Sequence, residues 1–378
     1  DRIVSPEEVM KRIEPGMSIF IGTGVAEPRT LVKNLMASEA GNLRDLELIQ
    51  IVSLGDAISL EELHAQKYRL KTFFSGWVAS EAITAGRVDL IPSPFSRIPG
   101  LIESGQIPID VAFVQVTPPN EAGYCSLGAA VDVARQAMEK ASLVVGEINA
   151  KAPSTFGDTF VRVSSLDMLV HSTEDLILFD RWQVDDVFDQ VGANVASVIE
   201  DGSCVAFSIG PLFEALSPHL AHKQDLGVHS PFFTDALMDL IESGAVSNRY
   251  KEIFRGKSLA SYAFGTREMM DWLDRNPLIE FQGVDKVFSP TQIGKNPRFV
   301  AVMPARKVDL SGRIALHFGK GNVSAGPAEV ADLFHGAELS CGGRTIFALP
   351  SRNLKGEPNI RISVAEFPNQ FGMGAGVD

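Results

Sequence analysis

Residues 110–117 constrain the fold most. The run DVAFVQVT is almost continuously apolar. A half-exposed strand would alternate apolar and polar residues, so this run reads as a strand covered on both faces, as in a parallel sheet flanked by helices. The rest of the first half repeats the same pair of elements. Residues 17–22 are an apolar, β-rich run after Pro15-Gly16, and a helix is predicted over 28–36. Strands follow at 46–52 and 70–74, with a helix at 59–65 between them. A helix at 131–140 then leads into another buried strand at 143–148. Strands separated by helices at this spacing predict a largely parallel sheet. The opening DRIVSPEEVMKRI reads as a capped amphipathic helix and not as a secretion signal.

Residues 150–184 break that rhythm with Pro153, Gly157 and many polar side chains, and are expected to be irregular. Beyond them come predicted helices at 185–199, 211–220 and 266–274, and strands at 203–209, 259–264 and 299–303. A hairpin-like VDLSGRIALHF, a helix at 328–334 and the strand RTIFAL complete the pattern. With 378 residues, 45% of them hydrophobic, the chain can bury two cores, since single cores stop growing beyond roughly 250–300 residues. The expected fold class is therefore α/β: two similar open α/β domains with largely parallel sheets. Their expected bounds are 1–182 and 183–378, joined at 181–185.

The halves share features in the same order. Each opens with a strand running into glycine and then a helix: FIGTGVAEPRTL at 20–31 and FSIGPLFEAL at 207–216. Each carries the pentapeptide LIESG, at 101–105 and 240–244. Each then has a strand followed by an acidic, glycine-containing turn. Three ordered matches predict an internal duplication.

Gly22, Gly24 and Gly210 at strand-to-helix corners have two readings. Glycine can simply serve a tight turn, or it can admit a ligand close to helix N-terminal N–H groups. Gly22-Thr23-Gly24 is no dinucleotide fingerprint, because Glu27 stands where a third glycine is needed. His219 and His222 share a helix face without a third ligand nearby, so an exposed helix end is expected there and no metal. Lys223 beside them is ordinary helix-terminus charge.

The net charge of -13 and the pI near 5.1 argue against nucleic acid or an anionic membrane as partner. Cys125, Cys204 and Cys341 lie far apart, indicating neither disulfides nor zinc. No apolar run approaches about 18 residues, and the cytoplasm is the expected compartment.

The stretch at 225–244, DLGVHSPFFTDALMDLIESG, predicts a short strand, a tight His229-Ser230-Pro231 corner and an amphipathic helix capped by Thr234, with Asp235 at its positive end. A corner of this kind is where open α/β proteins place reactive groups.

Several long motifs resemble the acetyl-CoA hydrolase/transferase family, the class I CoA-transferases that include acetate and 4-hydroxybutyrate CoA-transferases. FFSGWVASEAITAGRVDLIPSPFSRIP at 73–99 is similar to one family segment. DVAFVQVTPPNEAGYCSLGAAVD at 110–132 resembles its DVAxxxxSPxDxxGyxSLGxxvD, and EINAKAPSTFGDTFV at 147–161 a further stretch. In the second half IEDGSCVAFSIGPLFEAL, LGVHSPFFTDALMDLIESG and SCGGRTIFALPS match in outline, the middle one to "LGiHTEmfsDgvvdLiesG". The resemblance implies coenzyme A or an acyl-CoA as ligand, a small carboxylate as second substrate, and a homo-oligomer or paired subunit. It implies a CoA-binding set of Ser208, Ile209, Gly210, Pro211, Gly312 and Gly326. The repeated strand–glycine–helix pattern predicts a substrate cleft between the halves, lined by Gly24, Asn120, Glu121, Gly210 and the 229–231 corner.

The same resemblance implies a glutamate nucleophile, the third letter of "HTE", which attacks the acyl-CoA and then carries CoA as a thioester. Here that letter is Pro231. Ser230 and Asp235 are the nearest substitutes, and Ser230 would need a base, while adjacent His229 should point to the opposite face of an extended corner. Other departures cluster in this half: Ala315 stands for an asparagine that helps hold CoA, Lys307 for an acid, Val205-Ala206 where a glutamine is expected, and Val330 for another glutamine, while Asp332 is kept. The late "VVTEyGiA" segment of the family is not in these 378 residues. Two expectations follow. One is an acyl-CoA:carboxylate transferase or acyl-CoA hydrolase with eroded catalytic residues. The other is a non-catalytic CoA-binding or partner subunit on the same fold.

Overall fold

The computed structural model describes residues 2–53, 57–58, 67–74, 80–316, 328–367 and 370–372. The predicted helix at 59–65 and Gly326 lie outside the described residues.

Seven strands of the first half form one parallel sheet in the order Met168–His171, Leu143–Ile148, Val111–Val116, Ser18–Ile21, Leu46–Gln50, Tyr68–Thr72, Val88–Leu90. Val111–Val116 is buried along its whole length, which is why the DVAFVQVT run shows no alternation. Strand order reverses between Ser18–Ile21 and Val111–Val116. The loops leaving the C-terminal ends of those two strands therefore flank a crevice, the place where open α/β sheets take ligands. The crevice is knitted by Gly22 N–H donating to the Phe113 carbonyl at 3.0 Å and by the Gln115 amide donating to the Val25 carbonyl at 3.2 Å.

Local chemistry sets the helix starts. Ser5 and Glu8 form a reciprocal capping box for Pro6–Met10. The Arg29–Ala37 helix has no side-chain cap at Pro28. Its Thr30 and Leu31 N–H groups donate instead to the buried Glu147 carboxylate, at 3.2 and 2.9 Å. An acid at a helix N-terminus complements the positive end of its dipole, and here it also ties the helix to the strand at 143–148.

The region expected to be irregular is partly ordered. Met168–His171 closes one edge of the seven-stranded sheet, and Phe160–Arg162 pairs with Tyr124–Ser126. Phe156–Gly157 crosses over to become the third strand of a parallel sheet with Ser258–Ala260 and Ile279–Phe281. These strands are only two to four residues long, too short for a period-2 pattern to stand out.

The second half holds a four-stranded parallel sheet ordered Gly227–Val228, Cys204–Ala206, Phe299–Pro304, Arg344–Ala348. It too reverses order beside its first strand, between Cys204–Ala206 and Phe299–Pro304, so each half has its own switch point. The predicted strand at 259–264 is two short pieces: Ser258–Ala260, and Tyr262–Ala263 pairing with Phe232–Phe233. The predicted hairpin is present, with Lys307–Asp309 antiparallel to Arg313–Ala315. The LIESG repeat is a helix stop in both places. Gly105 and Gly244, with φ of 76° and 83°, end the Ile98–Glu103 and Asp235–Glu242 helices by the left-handed turn that glycine favours.

One large apolar core runs through both halves, from Phe20 and Val114 to Tyr262, Phe281 and Phe288. Smaller cores cover the outer faces of the two main sheets. Among the described residues no helix is long and apolar enough to cross a membrane.

Candidate active site

The 229–231 corner follows the strand Gly227–Val228, and the Tyr262–Ala263 strand beside it packs against the Gly24–Ala26 turn of the first half. The corner thus faces the switch point of the seven-stranded sheet. Its chemistry is set by where each polar atom is bonded.

His229 is fully buried. Its Nε2–H donates to the Val287 carbonyl at 2.8 Å, and its Nδ1 accepts from the Asn296 amide at 3.0 Å, the tautomer following from the partners. Burial lowers its pKa to about 3, with Lys251 nearby adding to the effect. Both ring nitrogens are occupied, so His229 has no lone pair to offer Ser230.

Ser230 is equally committed. Its hydroxyl donates to the carbonyls of Phe207 and Phe232, the oxygen lying 2.8 Å from each. The oxygen accepts from the Phe207 N–H at 3.0 Å. Ser230→Ala would leave that N–H buried without an acceptor, so it should destabilise the fold by roughly 1–3 kcal/mol. Denaturant titration checks this, and thioester turnover should not change.

Pro231 is buried, and its carbonyl accepts from the Ser261 and Tyr262 N–H groups at 3.2 Å. Thr234 sits at the N-cap position as predicted, but its side chain caps nothing. Its hydroxyl is buried without a partner. Asp235 does not face open solvent either: its carboxylate accepts from the Thr266 hydroxyl at 2.5 Å and the Thr266 N–H at 3.1 Å. It therefore helps hold the start of the Arg267–Leu273 helix.

The residues expected to bind CoA are divided. Ser208, Ile209 and Gly210 line a cavity of about 30 Å³ together with Thr234, Asp235, Glu214, Gly265 and Trp182. That is room for a water or two. Gly210 adopts φ 125° with open space where a side chain would point. Pro211 opens the Pro211–Leu220 helix beside it. Gly312 lies elsewhere, at φ 82° in the hairpin turn that the Asp309 carboxylate organises by accepting from Ser311 and Arg313 N–H groups.

The expected substrate-cleft residues are also separated. Gly24 is buried at φ 59° in its turn beneath Tyr262–Ala263. Asn120 lines a different, open cleft of about 1070 Å³ with Thr117, Tyr124, Lys151, Phe156 and Arg267. Its own side chain accepts from the Ala122 and Tyr124 N–H groups at 3.0 Å. Glu121 is exposed on the same turn. Asn120 and Gly210 thus line different cavities.

His219 binds Asp189 at 2.9 Å on the surface, and among the described residues no His, Cys, Asp or Glu group is arranged to hold a metal. Sequence reading missed a set of buried polar atoms at 132, 261 and 262. The signal available was a lone aspartate closing the apolar run AAV at 129–131.

Comparison with known proteins agrees with this architecture. Residues 1–180 match the acetyl-CoA hydrolase/transferase N-terminal domain, and residues 265–371 its C-terminal domain. The chain is 33% identical to a 4-hydroxybutyrate coenzyme A transferase of Clostridium kluyveri, over 94% of this chain and 83% of that protein. It is 31% identical to a succinyl-CoA:cyclohexane-1-carboxylate CoA transferase of Geobacter metallireducens, over 91% and 78%. Among solved structures, RipA from Yersinia pestis superposes with a TM-score of 0.87 at 27% identity, covering 95% of this chain and 84% of that one. A 4-hydroxybutyrate CoA-transferase from Porphyromonas gingivalis gives 0.82 at 29%, covering 96% and 85%. The chain belongs to the acetyl-CoA hydrolase/transferase family.

Proposed function

We propose that this protein binds small acyl-CoA thioesters on the family's scaffold but does not carry CoA through a glutamyl intermediate. The relatives named above act as CoA transferases on 4-hydroxybutyrate or on succinyl-CoA and cyclohexane-1-carboxylate. Their substrates support an acyl-CoA thioester and a small carboxylate as the ligand class. The observation that carries the second clause is the 229–231 corner. The position assigned to the nucleophile is Pro231, with neither an ionisable group nor an N–H. The two nearest substitutes are held in structural bonds, Ser230 by backbone groups and Asp235 by Thr266. A covalent route needs a nucleophile poised beside a base, and His229 has no free nitrogen to act as one.

The reading also takes 1–182 and 183–378 as two domains. Arg181 at their junction is paired with Glu214 and Asp239 of the second half. A second chain that supplies the carboxylate would fit the same scaffold.

Isothermal titration with CoA and with acetyl-CoA tests the proposal. Saturable binding of acetyl-CoA without turnover is the expected result. Turnover of the thioester at rates typical of enzymes would return the protein to the catalytic reading, and absence of any binding would remove CoA as its ligand.

A further inference from the structure

The segment at 174–190 carries the chain from the first half to the second. It holds six carboxylates and one cation, Arg181, and that cation is already paired with Glu214 and Asp239. Asp180, Asp185 and Asp186 are exposed. Apolar side chains stand among these charges: Leu178, Trp182, Val184 and Val187 are all exposed, Val187 by 51%. A single exposed apolar residue needs no reason, but a run of them marks an interaction surface. Residues 180–184 form neither helix nor strand, and among the described residues no backbone hydrogen bond holds them. Their N–H and C=O groups are therefore open to another partner.

A second face lies on the small sheet of the hairpin. Its outermost strand, Ile360–Arg361, pairs with Lys307–Asp309 on one side, and no described strand pairs with the other. An open edge of this kind accepts a further strand. Leu310, Leu354 and Ile362 are exposed around it, Ile362 by 88%. The charge here has the opposite sign. Residues 304–316 and 349–367 hold six cations and three carboxylates. Of those carboxylates, Asp309 is bound inside its own turn. Arg306, Arg313, Arg352 and Lys355 are exposed.

The two faces complement each other in charge, in apolar surface and in backbone. One is acidic and the other basic, each carries exposed apolar side chains, and an unbonded strap answers an open strand edge. Both belong to the same chain, so a second copy fits either of them. Elsewhere two copies with a net charge of -13 repel each other, which steers their approach to the basic face.

We propose that copies of this chain associate by laying the 178–187 strap of one along the Ile360–Arg361 edge of the next. The contact joins unlike surfaces of the two copies. It does not depend on whether acyl-CoA binds.

Sedimentation velocity of the full chain tests it over about 1–100 μM, the range in which even weak protein contacts of ordinary size begin to fill. The parent should run above the monomer mass, and added salt should return it towards monomer. Asp180→Lys with Asp186→Lys should weaken association by about tenfold or more, and Arg352→Glu with Lys355→Glu should do the same from the other face. Mixing the two reversed chains should bring association back, because the basic strap of one then meets the acidic edge of the other. A parent that stays monomeric, reversed chains that associate as the parent does, or a mixture that does not recover each overturns the proposal. Hydrogen exchange needs no variant: peptides covering 178–187 and 354–363 of the parent should gain protection as concentration rises. Protection already complete in the monomer would assign these faces to another segment of the same chain and overturn the contact, as would no gain at all.

Discussion

Offered an acyl-CoA and a free carboxylate, the protein should exchange CoA about a million-fold more slowly than a glutamate-bearing relative, the scale of loss when a hydrolase loses its nucleophile. On the proposed assignment of the nucleophile to position 231, a glutamyl route needs a carboxylate there, and the corner ends in a buried pyrrolidine ring. Ser230 is held by three backbone groups and His229 by two partners, so neither can be redirected without breaking the corner. Pro231→Glu should restore no more than a trace of transfer. The new residue brings an N–H into a buried site and must desolvate its own charge, although the start of the Asp235–Glu242 helix would favour that charge by about 0.3–1 kcal/mol. The assay is CoA exchange between labelled acetate and acetyl-CoA, run on parent and variant. Robust exchange by the variant alone would show that the other departures, Lys307 and Ala315 among them, matter less than argued.

The second large effect is structural. Gly157→Ala should destabilise the protein by about 3 kcal/mol or more. Gly157 pairs with Phe281 where the first half contributes a strand to a sheet of the second. It holds φ 109°, and a Cβ there would collide with the Phe281 carbonyl and lie 2.8 Å from the Phe281 nitrogen. Backbone on both sides cannot yield as a flexible side chain would. The denaturation midpoint should fall with an unchanged slope. A midpoint equal to the parent's would mean that this crossing strand does not couple the halves.

How much of this was legible from sequence depended on what each residue answers to. The strand at 111–116 announced itself because burial on both faces forces a continuous apolar run. The helix at 235–242 did so through its spacing, and the family through motifs that span both halves. Met168–His171 went unread because an edge strand flanked by polar residues shows no pattern. The LIESG repeat was visible as a repeat, but only the backbone showed it to be a helix stop. Thr234 looked like a cap by type, yet its hydroxyl reaches no N–H. Ser230 was open to a catalytic reading because a sequence cannot say which carbonyl a hydroxyl meets. Asp132 was hidden for the same reason: its burial and its Thr23 neighbour come from segments far away in the chain.

The central claim is that acyl-CoA is held here without becoming covalently attached. Intact-protein mass spectrometry after incubation with acetyl-CoA, with and without borohydride, tests it most directly. One unmodified mass is expected under both conditions. A CoA adduct that borohydride converts to an alcohol on this chain would contradict it.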